Sequence, residues 1–223
     1  MHWRIRSTVI LIGLIILALL LMAVVQAMPT PSLAEAYGWK WVPVTAADAV
    51  IETADPQIRD GGWSWVRVFA SHQVIGDHNW FAEIGWEKTA DGKFWVLCTW
   101  QSPSGYDKQY FQRSDIRNPI SHLYRVNRKG EGTGRWKFYY DDMSSPILTR
   151  WTGFDTGNVV GSGGEASSPQ NAIGVSGCLN NRYRDQNKVW HSYMYDDPVI
   201  EPPGEYYVVP WAPNNWQVYG KNY

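Results

Sequence analysis

WFAEIGWEKTADGKFWVLCTW, residues 80–100, is the stretch on which the fold turns. Its two halves, WFAEIGWEK (80–88) and KFWVLCTW (93–100), are rich in aromatic and β-branched residues, and the TADG between them carries Asp91-Gly92. Such a pair of runs around Asp-Gly predicts a tight β-hairpin. Side chains alternate along a strand, so Phe81, Glu83, Gly85 and Glu87 share one face while Ala82, Ile84 and Trp86 share the other. Glu83 sits mid-strand among large apolar neighbours, where a carboxylate is costly unless it is paired, hydrogen-bonded or protonated. Glu87, at the hairpin end, is expected to be solvated. At about 3.3 Å rise per residue the two lie roughly 13 Å apart at Cα. That is too wide for the carboxyl pair of a glycosidase.

The same signals recur outward from the hairpin. WSWVRVFA (63–70) reads as a strand, and HLYRVNRK (122–129) and GRWKFYYDD (134–142) flank GEGT as a second hairpin. Further short strands are expected at 147–151, 158–160, 164–167, 171–175, 188–195, 206–210 and 215–219. The best helical patch is TAADAVIET, 45–53, and no fixed-period repeat is evident. Many short strands between Gly, Pro and Asn turns predict an all-β antiparallel sandwich or barrel.

At the N-terminus MHWRIR precedes the uncharged apolar run STVILIGLIILALLLMAVV. This reads as a signal peptide over 1–27, cut after Ala27, or as an uncleaved membrane anchor. Either way the remainder is exported, with secretion the main expectation. Residues 28–38 are expected to be a flexible lead-in, and 39–223 one domain with a sizeable core. A formal net charge of −1 offers no basic stripe for nucleic acid. Fourteen Trp and thirteen Tyr are a compositional outlier, in part core filling and strand formers and in part candidates to line a groove. Cys98 and Cys178 are consistent with one disulfide in an oxidising compartment or with two buried thiols.

The five histidines lack Cys or His partners at ligand spacing, so no metal and no cofactor is expected. The acid pairs Asp141-Asp142 and Asp196-Asp197 read as solvated turns. No Gly-x-Ser-x-Gly elbow is present. The remaining chemistry is carboxylate chemistry. GSGGEASSPQNAIGVSG (161–177) contains a single ionisable residue, Glu165, after two glycines and before small residues, either the floor of a groove or a surface loop.

Two blocks, AEIGWEKTADGKFWVLCTW (82–100) and SGGEASSPQNAIGVSG (162–177), resemble the neprosin family of glutamic peptidases. The family has a Glu-x-Gly-Trp strand leading into an aromatic strand, then Gly-Gly-Glu and a Met-Gly-Ser-Gly-like strand. The resemblance implies a β-sandwich of jelly-roll or concanavalin type, with only a short N-terminal signal helix. It implies catalytic Glu83 and Glu165 facing each other across a groove, with a peptide or protein as substrate and a monomeric chain. Trp86, Gln170 and Asn171 become candidates for substrate or oxyanion contacts. The chain departs from the family at Ser162, where an aromatic is usual, and at AIGVS. SGYDKQYFQ (104–112) replaces a Cys-containing segment, and no large prodomain is expected. Prolyl-directed cleavage, a property of plant members, therefore stays open. The alternative is a non-catalytic, lectin-like carbohydrate-binding sandwich, its exposed rings stacking on sugars. A laminarinase-type glucanase motif is broken by Gly85, and a surface structural protein would need no acid pair.

Overall fold

Period-two alternation over most of the chain yields fifteen strands and no helix among the described residues of a computed structural model, which are 33–59, 61–74 and 79–220. In chain order they are β1 (Ala34–Val44), β2 (Ala46–Glu52), β3 (Trp63–His72), β4 (Trp80–Thr89), β5 (Phe94–Ser102), β6 (Gly105–Gln112), β7 (Ser121–Arg128) and β8 (Arg135–Tyr140). Then follow β9 (Leu148–Trp151), β10 (Gly157–Ala166), β11 (Ser176–Arg184), β12 (Trp190–Ser192), β13 (Asp197–Glu201), β14 (Tyr206–Ala212) and β15 (Asn215–Gly220). They form two antiparallel sheets. One is seven-stranded, in the order β13-β1-β10-β3-β4-β5-β6; the other follows β14-β15-β11-β2-β7-β8-β9, with β12 paired to β11. The sandwich expected from the alternation is the one observed.

Between the sheets lie the apolar residues of each strand. Trp86, Trp136, Trp216, Tyr124 and Phe138 are the largest fully buried side chains. Truncating any of these to Ala costs about 3–5 kcal/mol in a close-packed core. The 80–100 hairpin forms, with Ile84 opposite Cys98 and Lys88 opposite Phe94.

Four expectations are corrected. Residues 46–52 are strand β2, because Ala47, Ala49 and Ile51 turn into the core while Asp48 and Val50 turn out, a period of two that a propensity reading of TAADAVIET misses. The lead-in over 28–38 ends early. From Ala34 the chain is strand β1, paired to both β10 and β13. Residues 171–175 are loop, and 158–160 and 164–167 merge into the single strand β10. Cys98 and Cys178 are free buried thiols. They occupy different parts of the core, Cys98 near Arg150 and Tyr124 and Cys178 near Ser162 and Tyr193. Burial pushes the Cys178 thiol up to about 12. The proposed leader, 1–27, lies outside the described residues.

Candidate active site

The outward face of the seven-stranded sheet is built from residues two apart on neighbouring strands. On β3 these are Trp65, Arg67 and Phe69. In register, Arg67 pairs with Gly163 of β10 on one side and Gly85 of β4 on the other. Glu165 pairs with Trp65, and Glu83 pairs with Phe69. Arg67 is therefore the centre of a diagonal, with a glutamate at each end and a glycine at each flank. The Glu-x-Gly and Gly-x-Glu patterns keep the flanking positions without side chains. A Cβ on Gly85 would collide with the Val66 carbonyl and stand 2.7 Å from Arg67 Cα. Gly85→Ala is accordingly expected to lower the denaturation midpoint, at a cost of about 1–3 kcal/mol for forced overpacking. Thermal unfolding of the variant checks this.

The Arg67 guanidinium donates through Nη1 to Glu165 Oε2, and its Nε lies 3.4 Å from Glu83 Oε1. The second contact is electrostatic, since Arg67 Nε has no aligned hydrogen-bond acceptor. Thr99 Oγ1 on β5 donates to Glu83 Oε2 at 2.9 Å. Trp65 lies against the guanidinium, 4.5 Å from ring centroid to Cζ. All three charged residues are buried, at 8% exposure for Arg67, 8% for Glu83 and 9% for Glu165. Burial raises the Glu83 carboxyl above the ordinary range. The Arg67 charge opposes the rise, the Glu165 charge adds to it, and the Thr99 bond opposes it. For Arg67 the surrounding carboxylates Glu165, Glu83 and Glu35 outweigh burial and hold it charged.

Two recesses meet at this cluster. One, about 320 Å³, is bounded by Trp63, Trp65, Tyr106, Lys108 and Glu87; the other, about 430 Å³, by Glu35, Tyr37, Trp39, Phe69 and Asn79. Both include Arg67, Phe81 and Glu83. Volumes of this order suit small ligands or peptide side chains.

Each recess adds a carboxyl. Glu35 on β1 is paired in register with Glu165, and burial followed by the Glu165 charge raises its carboxyl above the ordinary range. Glu87 is 4% exposed rather than solvated. It is covered because Trp65 pairs with it on β3 and Trp95 on β5. Burial lifts it from the ordinary 4.5 to about 7, against the Lys108 charge and a Tyr110 hydrogen bond. An acid protonated more readily when folded stabilises the fold fully below 4.5, and the contribution is lost as pH rises through about 7. The shift corresponds to about 3 kcal/mol. Urea unfolding should therefore show stability falling between pH 4.5 and 7, and Glu87→Gln should flatten that slope.

The remaining candidates lie elsewhere. Trp86 is fully buried on the opposite face of β4, its Nε1 donating to the Glu52 carbonyl at 3.2 Å, so it packs the core and lines neither recess. Asn171 is 2% exposed and secures a loop: Oδ1 accepts from the Arg59 amide at 2.6 Å and Nδ2 donates to Ser167 Oγ at 2.9 Å. Gln170 is exposed in that loop and lines neither recess. The sequence reading missed Arg67, Glu35 and Tyr37, and placed Glu87 in solvent. Arg67 left a signal, a lone cation between Trp65 and Phe69 on one face of an otherwise apolar strand. Among the described residues, Asp115, His122 and Asp141 also come together, away from this groove, with ligand atoms within 4.8 Å of one another. His122 Nδ1 there has Asp141 Oδ2 at 2.8 Å and the Tyr140 hydroxyl at 2.9 Å, the pattern of a hydrogen-bonded turn.

No protein-family model and no curated protein sequence matches the chain. Solved structures do share its fold. A scytalido-glutamic peptidase with a transition state analog inhibitor is similar at a TM-score of 0.54 and 6% identity, over 84% of this chain and 97% of that one. SCP-B, a member of the eqolisin family of peptidases in complex with the tripeptide Ala-Ile-His, is similar at 0.51 and 5% identity, over 84% and 97%. At such identity the likeness shows the fold: a sandwich of the kind seen in glutamic peptidases.

Proposed function

We propose that this protein is an exported glutamic endopeptidase that hydrolyses peptide bonds in acid with Glu83, Glu165 and one water, and that it is neprosin-like in its two glutamate blocks. The observation that carries this reading is the meeting of Glu83 and Glu165, from strands distant in sequence, on one guanidinium where two recesses join. The sandwich shared with glutamic peptidases supports it.

The environments divide the roles. Glu83, raised by burial, holds the proton and acts as general acid; Glu165, in the direct ion pair with Arg67, acts as general base. Glu165 takes a proton from the water as its oxygen bonds to the peptide carbonyl carbon. Glu83 gives its proton to the carbonyl oxygen, forming a neutral tetrahedral diol. Glu165 then passes its proton to the nitrogen as the C–N bond breaks, and Glu83 recovers one from the diol as it becomes the carboxylic acid. Both glutamates end as they began, with no covalent intermediate. Arg67, held between both glutamates, would offset the partial negative charge on the carbonyl oxygen until the Glu83 proton arrives. An extended peptide would lie over Phe81, with side chains in the two recesses.

Incubation with an unfolded protein across pH 3–7, with fragments identified by mass spectrometry, tests the reading. Internal cleavage is expected on the acid side, falling as pH rises and Glu83 loses its proton. It should be unaffected by chelators and by serine or cysteine reagents. Inhibition by a chelator, or activity confined to alkaline pH, would overturn it.

A further inference from the structure

The opposite face of the sandwich concentrates charge of the other sign. On the outward side of the second sheet, one row of register partners runs Arg182, Asp48, Arg125, Tyr139 across β11, β2, β7 and β8. The next runs Arg184, Ala46, Asn127, Lys137, with Arg135 and its partner Trp151 beyond. Asp48 is the one acid in these rows and is fully buried, bonded by Arg125 Nη2 at 2.6 Å and Arg182 Nη2 at 2.8 Å. The Trp190 ring lies against both arginines, with Cζ 4.7 and 5.2 Å from its centroid.

One acid cannot neutralise this surface. Among the described residues Arg184 donates to neutral acceptors, Asn127 Oδ1 at 2.6 Å and Thr45 Oγ1 at 3.3 Å. Burial, then the charges of Arg128 and Arg125, depress it below the ordinary arginine range. Arg135 is exposed, and Lys137 has no carboxylate partner among the described residues. Trp151 is 49% exposed at the end of the same face.

We infer that this face, centred on Arg184, Arg182, Lys137 and Arg135 with Trp151 at its edge, binds a linear acidic polysaccharide. Neighbouring strands stand about 4.8 Å apart, which separates the Cα atoms of Arg184 and Lys137 by about 14 Å. A chain of regularly repeated carboxylate or sulfate groups spans that distance; a single small anion does not. Guanidinium forks match such groups in bidentate geometry. Trp151 offers an open ring against which a sugar can stack. The aromatic Trp190 is held between arginines and is not presented for insertion into lipid. Binding here is independent of the peptidase reading, since it uses the other sheet.

The test measures retention of the full chain by polygalacturonate and by dextran sulfate in affinity electrophoresis, against neutral dextran. Single-stranded oligo-dT and phosphatidylserine vesicles are tested in parallel. Wild-type protein should be retarded by both acidic glycans at about 0.05 M NaCl, more weakly at higher salt, and not by dextran. Arg184→Gln/Lys137→Gln/Arg135→Gln should weaken retention at least tenfold at an unchanged thermal midpoint, and Trp151→Ala should weaken it several-fold. Equal retention by dextran, no retention at low salt, or a folded triple variant that binds like wild type would overturn the inference. So would tighter binding to oligo-dT or vesicles than to either glycan. Arg182 is left in place because removing it would strand the buried Asp48 charge.

Discussion

Glu165→Gln and Glu83→Gln are each expected to cut kcat for peptide hydrolysis by about 10²–10⁴-fold, the usual worth of one positioned acid or base. Each residue carries a proton in both halves of the reaction, so neither can be bypassed by the other. The double variant should be little worse than the poorer single one, because groups that act as a unit are not additive. Both amides are nearly isosteric with the acids. In the Glu83→Gln variant the new amide oxygen can still accept from Thr99 Oγ1, which bonds Glu83 at 2.9 Å. In the Glu165→Gln variant the amide oxygen can still accept from Arg67. Circular dichroism and thermal midpoints should therefore stay close to wild type while turnover disappears. A folded variant within tenfold of wild-type kcat would remove that glutamate from the mechanism.

Arg67→Met is expected to cause a large loss of stability that depends on pH. It leaves Glu83 and Glu165 buried without their shared counter-charge, with Glu35 also facing the same space. Breaking one side of a buried ion pair costs about 3–5 kcal/mol. The loss should be greatest near pH 7 and should shrink toward pH 4. Burial raises Glu83 and Glu35 and the Arg67 charge opposes it, so without Arg67 these two lie higher still, and the variant's stability is retained in acid and lost as they ionise on raising the pH. Urea unfolding at the two pH values measures it. Adding Glu165→Gln to Arg67→Met should restore part of the loss at pH 7. Arg67→Lys keeps a charge without the two-armed fork, and should recover more stability than activity. A penalty for Arg67→Met that did not change with pH would show that electrostatics is not what the arginine supplies.

The hairpin at 80–100 was legible because its alternation and its Asp-Gly turn agree, and the sandwich follows from the repetition of that pattern. Strand β2 was not, because its Ala-rich inward face scores as helix, and only the facing sheet makes those alanines a core. Strand β1 was hidden by the prolines that precede it. The glutamates could be picked out one at a time, Glu83 as an acid among apolar strand residues and Glu165 as an acid after two glycines. Their common partner could not, since Arg67 meets them only through pairing of β3 with β4 and β10, and β10 lies about ninety residues further along the chain. Glu87 was misplaced for a similar reason. A hairpin end is normally wet, but here Trp65 and Trp95 roof it from both neighbouring strands.

The strand order has a consequence for the timing of synthesis. Strand β10, Gly157–Ala166, is the wedge between β1 and β3. Until it emerges, β1 has no neighbour on that side and the β3–β6 meander ends in a raw edge. A nascent polypeptide thus carries Glu83 and Arg67 long before the second acid arrives, and under the proposed mechanism it gains hydrolytic competence only once β10 has been made. Closing the sheet by an insertion so remote in sequence is a slow step. Under the same proposal, any product truncated before residue 157 lacks Glu165 and is inert.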